Sequence, residues 1–133
     1  MSASANKTTV RSFITAISDG DIAAVRELLT DDAVWWLPGT LPVSGRYEGP
    51  EAVVNDFLSQ GLNLYRPGSL TFEITSMIEE AGSVSVEWTA RGLSAAGREY
   101  QNYYNVNFTV RGGRISEIRE YTDTLYVSDV LYA

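Results

Sequence analysis

Histidine and cysteine are both absent from this 133-residue chain. Without cysteine there is no disulfide, no thiolate nucleophile and no zinc–thiolate site. Without histidine the commonest general base near neutral pH is missing, and so is the commonest metal ligand. No metal site and no cofactor is expected, and acid–base chemistry falls to carboxylates, Tyr, Lys or Arg. Lysine occurs once, as Lys7 in the N-terminal tail, which argues against Schiff-base chemistry. Positive charge is scarce too: 10 Lys and Arg stand against 17 Asp and Glu, a net charge of −7. With no basic cluster, nucleic acid is an unsuitable partner. No apolar run approaches the ~20 residues of a membrane span. The opening Met-Ser-Ala-Ser-Ala-Asn-Lys lacks the apolar core of a signal peptide. The expectation is a soluble, cytoplasmic protein without membrane contact.

What is present suits one compact fold. Apolar residues make up 44% of the chain, ordinary for a globular protein, and the length fits a single domain over residues 1–133. Val10, Phe13, Ile14 and Ile17 recur at helical spacing and predict a helix from about Thr8 to Ile17. Ser18-Asp19-Gly20-Asp21 breaks it, and Asp19 or Asp21 can cap the next helix, whose stripe is Ile22, Val25, Leu28 and Leu29. Leu28 to Trp36 passes from helix into a short strand. Pro38 to Gly49 is punctuated by Pro38, Gly39, Pro42, Gly45 and Gly49 and reads as a loop. Pro50 opens a third helix to about Gln60, with Val53, Val54, Phe57 and Leu58 on its apolar side.

The rest reads as sheet. Strands are predicted over Leu70 to Glu79, Ser83 to Gly92, Glu99 to Val110 and Arg114 to Thr122, the last two joined by Arg111-Gly112-Gly113-Arg114. Gly-Gly between alternating runs is a hairpin signal, because tight hairpin turns need positive φ. A short helix, Thr124 to Leu131, ends the chain. Helices followed by consecutive strands imply an α+β fold, with a curved antiparallel sheet folded over the helices.

Two segments carry a resemblance. The C-terminal hairpin, with Ile118-Arg119-Glu120-Tyr121-Thr122-Asp123 closing it, and the opening helix, Gly20-Asp21, helix, Leu28-Leu29-Thr30-Asp31-Asp32-Ala33-Val34-Trp35, are similar to the NTF2-like superfamily, in its SnoaL-like and ketosteroid-isomerase-like branch. The resemblance covers nearly the whole chain from Thr8. It implies a cone-shaped α+β barrel of the cystatin-like or NTF2-like kind, with a pocket between sheet and helices. It also implies a homodimer through the outer face of the sheet, where Glu87, Arg91 and Tyr103 stand. In SnoaL-like and epoxide-hydrolase-like relatives an acidic residue at the end of the last strand is the catalytic base, a position that Glu120 and Asp123 both match. Other family features are missing. Trp88 and Ala90 occupy the positions where limonene-epoxide hydrolases carry Arg and Asp. The Pro38–Gly49 loop has no Asp to serve as an isomerase base, and no His is available to pair with an Asp. No named reaction therefore comes with the fold.

The residues themselves leave pairs of readings open. If Ile118 faces the interior, so do Glu120 and Thr122, while Arg119, Tyr121 and Asp123 face away. Glu120 is then a pocket carboxylate whose burial would raise its pKa; alternatively it lies exposed beside Arg119 or Arg114. Asp123 is either a second catalytic carboxylate or the N-cap of the final helix. Trp36 and Trp88 are taken as pocket walls, with Phe57 beside them. Asn102 and Tyr104 share the inward parity of Val106 and Phe108, and Tyr47 is placed to donate to a substrate oxygen. Any of these aromatics could instead fill the core. Two functions compete: a cofactor-independent isomerase, dehydratase or cyclase (isomerase or lyase chemistry) acting on a small apolar oxygenated molecule, or a non-catalytic dimer that binds such a ligand. The enzyme is the expectation, with Glu120 or Asp123 moving the proton and Tyr47, Asn102 and Tyr104 holding the oxygen.

Overall fold

A computed structural model describes residues 4–132. Helix α1 (Ala5–Asp19) starts earlier than its apolar stripe, because Ser4 caps it by accepting from the Lys7 backbone N–H. The Ser4 hydroxyl and the Asn6 amide also hydrogen-bond the Glu79 carboxylate and fasten the helix start to the sheet. Lys7 thus lies on a helix rather than in a tail. Gly20 ends α1 in the left-handed conformation (φ 71°), returning its N–H to Ala16 and Ile17, the usual way a glycine closes a helix. Asp21 then caps α2 (Ile22–Glu27).

Strand β1 (Leu29–Leu37) follows at once. The Pro38–Gly49 segment, expected to be loop throughout, contains a four-residue strand, β2 (Gly45–Glu48), paired antiparallel with β1. Its glycines masked a strand that β1 templates. The third helical segment begins at Pro50, takes π pitch over Ala52–Leu58 and continues as α3 (Ser59–Leu62). Its apolar side is as expected, with Val53, Val54, Phe57 and Leu58 all buried.

Strands β3 (Thr71–Glu80), β4 (Ser83–Leu93), β5 (Glu99–Arg111) and β6 (Arg114–Thr122) precede α4 (Thr124–Leu131). The sheet has six strands in the order β2-β1-β6-β5-β4-β3, antiparallel except where β1 meets β6 in parallel. Gly112 (φ 60°) and Gly113 (φ 79°) form the β5–β6 turn, both in the conformation a type I′ hairpin requires. The architecture is the expected α+β one, a curved sheet wrapped around helices. Phe13, Leu29, Tyr100, Phe108, Ile115 and Ile118 are among its largest fully buried side chains.

Candidate active site

The concave face of the sheet, with α1, the π-helical segment, α3 and α4 across it, frames a partly open cavity of about 110 Å³ counted as room for water centres. One water needs roughly 10–15 Å³ on that measure, so a small organic molecule fits. Every strand but β2 contributes to the wall, mostly with Leu, Ile, Val, Phe and Trp. Among the described residues no Lys or Arg lines it and Glu120 is its sole charged side chain, while Tyr65, Tyr104 and Thr122 bring hydroxyls.

Strand phase puts Glu120 there. A register shift in the β5–β6 ladder falls between Thr109 and Val110, opposite Ile115 to Glu117. The bulge lets Ile115 and Ile118 both point inward although they are three apart. From Ile118 onward strict alternation holds, so Glu120 and Thr122 line the cavity while Tyr121 is 40% exposed on the other side. Glu120 remains partly accessible, as a cavity-lining side chain should. It does not pair with Arg119, which bonds Glu117 instead, nor does it form an ion pair with Arg114. Its Oε1 accepts from Trp35 Nε1 at 2.9 Å. Burial among apolar walls pushes its pKa up to about 7, with the Trp35 hydrogen bond pulling weakly the other way. A carboxyl group poised near neutrality can take or give a proton at physiological pH.

Beside it stands a cluster of tyrosines. The Tyr100 and Tyr104 hydroxyls meet at 2.5 Å. Asn102 is fully paired: its Nδ2 donates to Tyr100 Oη (3.0 Å) and to the Asp123 carbonyl (3.2 Å), and its Oδ1 accepts from the Tyr103 N–H. The Tyr65 ring packs edge-on against Tyr100 at 5.4 Å. Burial raises the pKa of Tyr65, Tyr100 and Tyr104, and the nearby Glu120 charge adds to each rise. All three stay protonated at physiological pH.

The remaining expectations divide. Phe57, Trp88 and Tyr104 line the cavity. Asp123 does not: it is exposed, and its Oδ1 accepts from the Tyr126 N–H as the N-cap of α4. Trp36 is corrected. It turns to the outer face and packs edge-on against Tyr121 at 6.1 Å, while its neighbour Trp35 lines the cavity and packs at a tilt against Phe57 at 4.8 Å. Every residue of Ala33-Val34-Trp35-Trp36-Leu37 is apolar, so alternation gave that strand no phase. Only its pairing reveals it, with Trp35 beside the inward Ile118. Tyr47 is also corrected: its ring supports Phe57 at 5.0 Å, but its hydroxyl donates to the Val43 carbonyl at 2.8 Å and does not line the cavity. Asn102 acts one step back, through Tyr100. Tyr65 and Tyr100 were not anticipated, since Tyr65 follows α3 in a connecting segment that bridges to Ser94. Among the described residues no group of three or more acidic side chains is placed to hold a metal ion. None of their helices is long and apolar enough to cross a membrane.

A model of the SnoaL-like domain family matches residues 10–118. Among solved structures, the chain is similar to an NTF2-like protein of unknown function from Burkholderia pseudomallei, at 21% identity and a TM-score of 0.89, covering 98% of this chain and 100% of that one. It is similar to TerC, co-crystallized with polyporic acid, at 20% identity and a TM-score of 0.86, covering 98% and 100%. A proposed SnoaL-like polyketide cyclase from Jannaschia matches at 20% identity and a TM-score of 0.84, covering 100% of this chain and 98% of that one. Likeness at these identities concerns the fold alone. No curated protein matches the sequence.

Proposed function

The chain belongs to the SnoaL-like domain family of NTF2-like proteins, and from that premise we propose that it is a cofactor-independent acid–base enzyme of the isomerase, dehydratase or cyclase kind. Its substrate is a small, neutral, largely apolar compound with a carbonyl oxygen. The observation that carries this reading is the Glu120 carboxyl set among the apolar walls of the cavity beside the Trp35 N–H, where burial pushes its pKa up to about 7. A cavity with one carboxylate and no cation favours neutral ligands, because a second anion would meet repulsion without compensation.

The chemistry needs one proton carrier and one oxygen anchor. Ionised Glu120 removes a proton from the carbon next to the carbonyl. The C–H bonding pair moves into the C–C bond, and the carbonyl π pair moves onto oxygen as an enolate. Asn102 donates into Tyr100, and in the arrangement where Tyr100 donates in turn to Tyr104 the Tyr104 proton is the one offered to that enolate oxygen. Protonated Glu120 then returns its proton: to another carbon in an isomerisation, to a departing hydroxyl in a dehydration, or, in a cyclisation, to the alkoxide formed when the enolate carbon closes on a second carbonyl and that carbonyl's π pair moves onto its oxygen.

The test is the Glu120 side-chain titration followed by carbonyl-detected NMR. A midpoint near 7 supports the enzyme. A midpoint near the ordinary carboxylate value of about 4 sinks it and leaves a ligand-binding protein that uses the same cavity.

A further inference from the structure

One buried side chain joins the cover of the cavity to its hydroxyls. Asn102, on β5, is 2% exposed, and three groups meet its amide. Its Nδ2 donates to Tyr100 Oη at 3.0 Å and to the Asp123 carbonyl at 3.2 Å, while its Oδ1 accepts from the Tyr103 N–H at 2.9 Å. Two of those partners are backbone groups of fixed sense, since a carbonyl only accepts and an N–H only donates. Turning the amide over would set oxygen against the Asp123 carbonyl and NH₂ against the Tyr103 N–H, two buried mismatches at once. The backbone therefore fixes which end of Asn102 faces Tyr100, and that end is a donor.

The Tyr100 hydroxyl has a single proton and lies 2.5 Å from that of Tyr104. An oxygen that accepts a hydrogen bond gives its own proton more readily, because successive bonds in a chain polarise one another. The Asn102 donation thus favours Tyr100 as donor and Tyr104 as acceptor. The Tyr104 proton is then left for the cavity, which Tyr104 lines. In the opposite arrangement Tyr104 spends its proton on Tyr100, and the Tyr100 proton turns toward Tyr65, whose ring is edge-on to it at 5.4 Å.

The Asp123 carbonyl that holds the amide belongs to the N-cap of α4, and α4 covers the cavity with Val127 and Leu131. The same stretch of β5 seats that helix. Tyr126 Oη accepts from the Gln101 N–H at 3.1 Å, the Tyr126 ring lies 5.3 Å from that of Tyr100, and Arg98 donates to the Asp129 carbonyl. Lifting α4 withdraws one of the two backbone groups that fix the amide. We propose that Asn102 is a positioning residue that ties the seating of α4 to the direction of the tyrosine hydrogen bond, so that Tyr104 offers its proton to a ligand oxygen only while α4 is in place. This rests on the cavity being the site proposed above, and it adds a condition to that site: the helix that closes it also sets its oxygen anchor.

Proton NMR of the intact protein, with its tyrosines labelled with ¹³C at Cζ, tests the idea. The proton shared by a close hydroxyl pair resonates well downfield, and its two-bond coupling to Cζ names the ring that owns it. In the wild type the owner should be Tyr100. Ownership by Tyr104, or no downfield hydroxyl proton, overturns the proposal. Asn102→Leu keeps the approximate shape and removes both donors, and should move ownership toward Tyr104, with Asn102→Ala as the second variant. Unchanged ownership in both overturns the proposal as well. Val130→Asp puts a charge at a buried position of α4 that does not line the cavity. It should strip hydrogen-exchange protection from α4 and ownership from Tyr100 together. If that variant fails to fold, Tyr126→Phe, which removes the acceptor of the Gln101 N–H, should reproduce the change in smaller measure. Lost protection in α4 with Tyr100 still the owner refutes the coupling. None of these readouts involves turnover, so their failure is distinct from a failure of the Glu120 titration, which tests the enzyme reading itself.

Discussion

The two faces of the sheet hold similar residues in opposite circumstances. On the convex face Glu73 pairs with Arg91 and Glu117 with Arg119, Glu87 is open to solvent, and Tyr103 is 63% exposed. On the concave face Glu120 has one indole N–H for a partner and apolar walls around it, and the Tyr104 hydroxyl meets that of the buried Tyr100. Strand phase alone separates Glu117 from Glu120. Exposed ion pairs of the first kind contribute ~0–1 kcal/mol each. A lone carboxyl among apolar walls is held at a pKa where it can do chemistry. The contrast shows that the number of acidic residues says little about function, and that the face on which each one lies decides it.

The sharpest way to break this comparison is to neutralise one glutamate on each face. Glu120→Gln should slow α-proton exchange of a neutral bicyclic ketone such as 2-tetralone in D₂O by roughly 10²–10⁴-fold, and Glu87→Gln should leave the exchange rate alone. Equal rates in the two variants would remove Glu120 from the chemistry.

The next effect is on stability. Glu120 titrates near 7 in the fold, against a reference value of 4.5. Between those values the folded chain holds more protons than the unfolded one, so stability falls as pH rises through the window. Below 4.5 the contribution is constant. At about 1.4 kcal/mol per unit the full loss is about 3 kcal/mol. Urea unfolding across that range should show the decline in the wild type and its absence in Glu120→Gln. Parallel curves would mean that the carboxyl is solvated like those outside.

Asp123 tests the same boundary at smaller scale, three residues further on. Asp123→Ala should cost about 1 kcal/mol by removing the cap on the Tyr126 N–H. Asp123→Asn, which retains a capping oxygen, should cost little. Neither should alter exchange. Loss of exchange in Asp123→Asn with an intact fold would transfer the role of base from Glu120 to Asp123.

Much of this was legible in the sequence because it rests on local rules. Gly112-Gly113 announced the hairpin through the φ values its turn needs, and Ile118, Glu120 and Thr122 followed simple alternation past the bulge. The apolar sides of α1 and of the third helical segment were readable from spacing. The π pitch was not, because positions 53, 54, 57 and 58 make one face at either pitch. β2 was hidden since glycines in its segment outweighed a pairing that only β1 supplies. Tyr65 and Tyr100 join the site through contacts across the sequence that no local pattern encodes. Where residues alternate in polarity the phase of a strand can be read, and where all are apolar it cannot.

Trp35 and Trp36 embody that limit and give the finest test of the two faces. Trp35→Phe removes the N–H that favours ionised Glu120, so the Glu120 midpoint should rise above about 7. Trp36→Phe touches only the convex face, where its contact with Tyr121 belongs to a class worth about 0.5–1.5 kcal/mol. Most of that should survive in a phenylalanine, so stability should change by less than about 1 kcal/mol, and the Glu120 midpoint should not move. Side-chain carboxyl NMR on both variants distinguishes the phases directly. A Glu120 midpoint that responds to Trp36→Phe and ignores Trp35→Phe would turn β1 over and exchange the two tryptophans between cavity and surface. The expected order, a rise for Trp35 and stillness for Trp36, would fix the cavity wall to one residue of an adjacent pair that the sequence presents as equivalent.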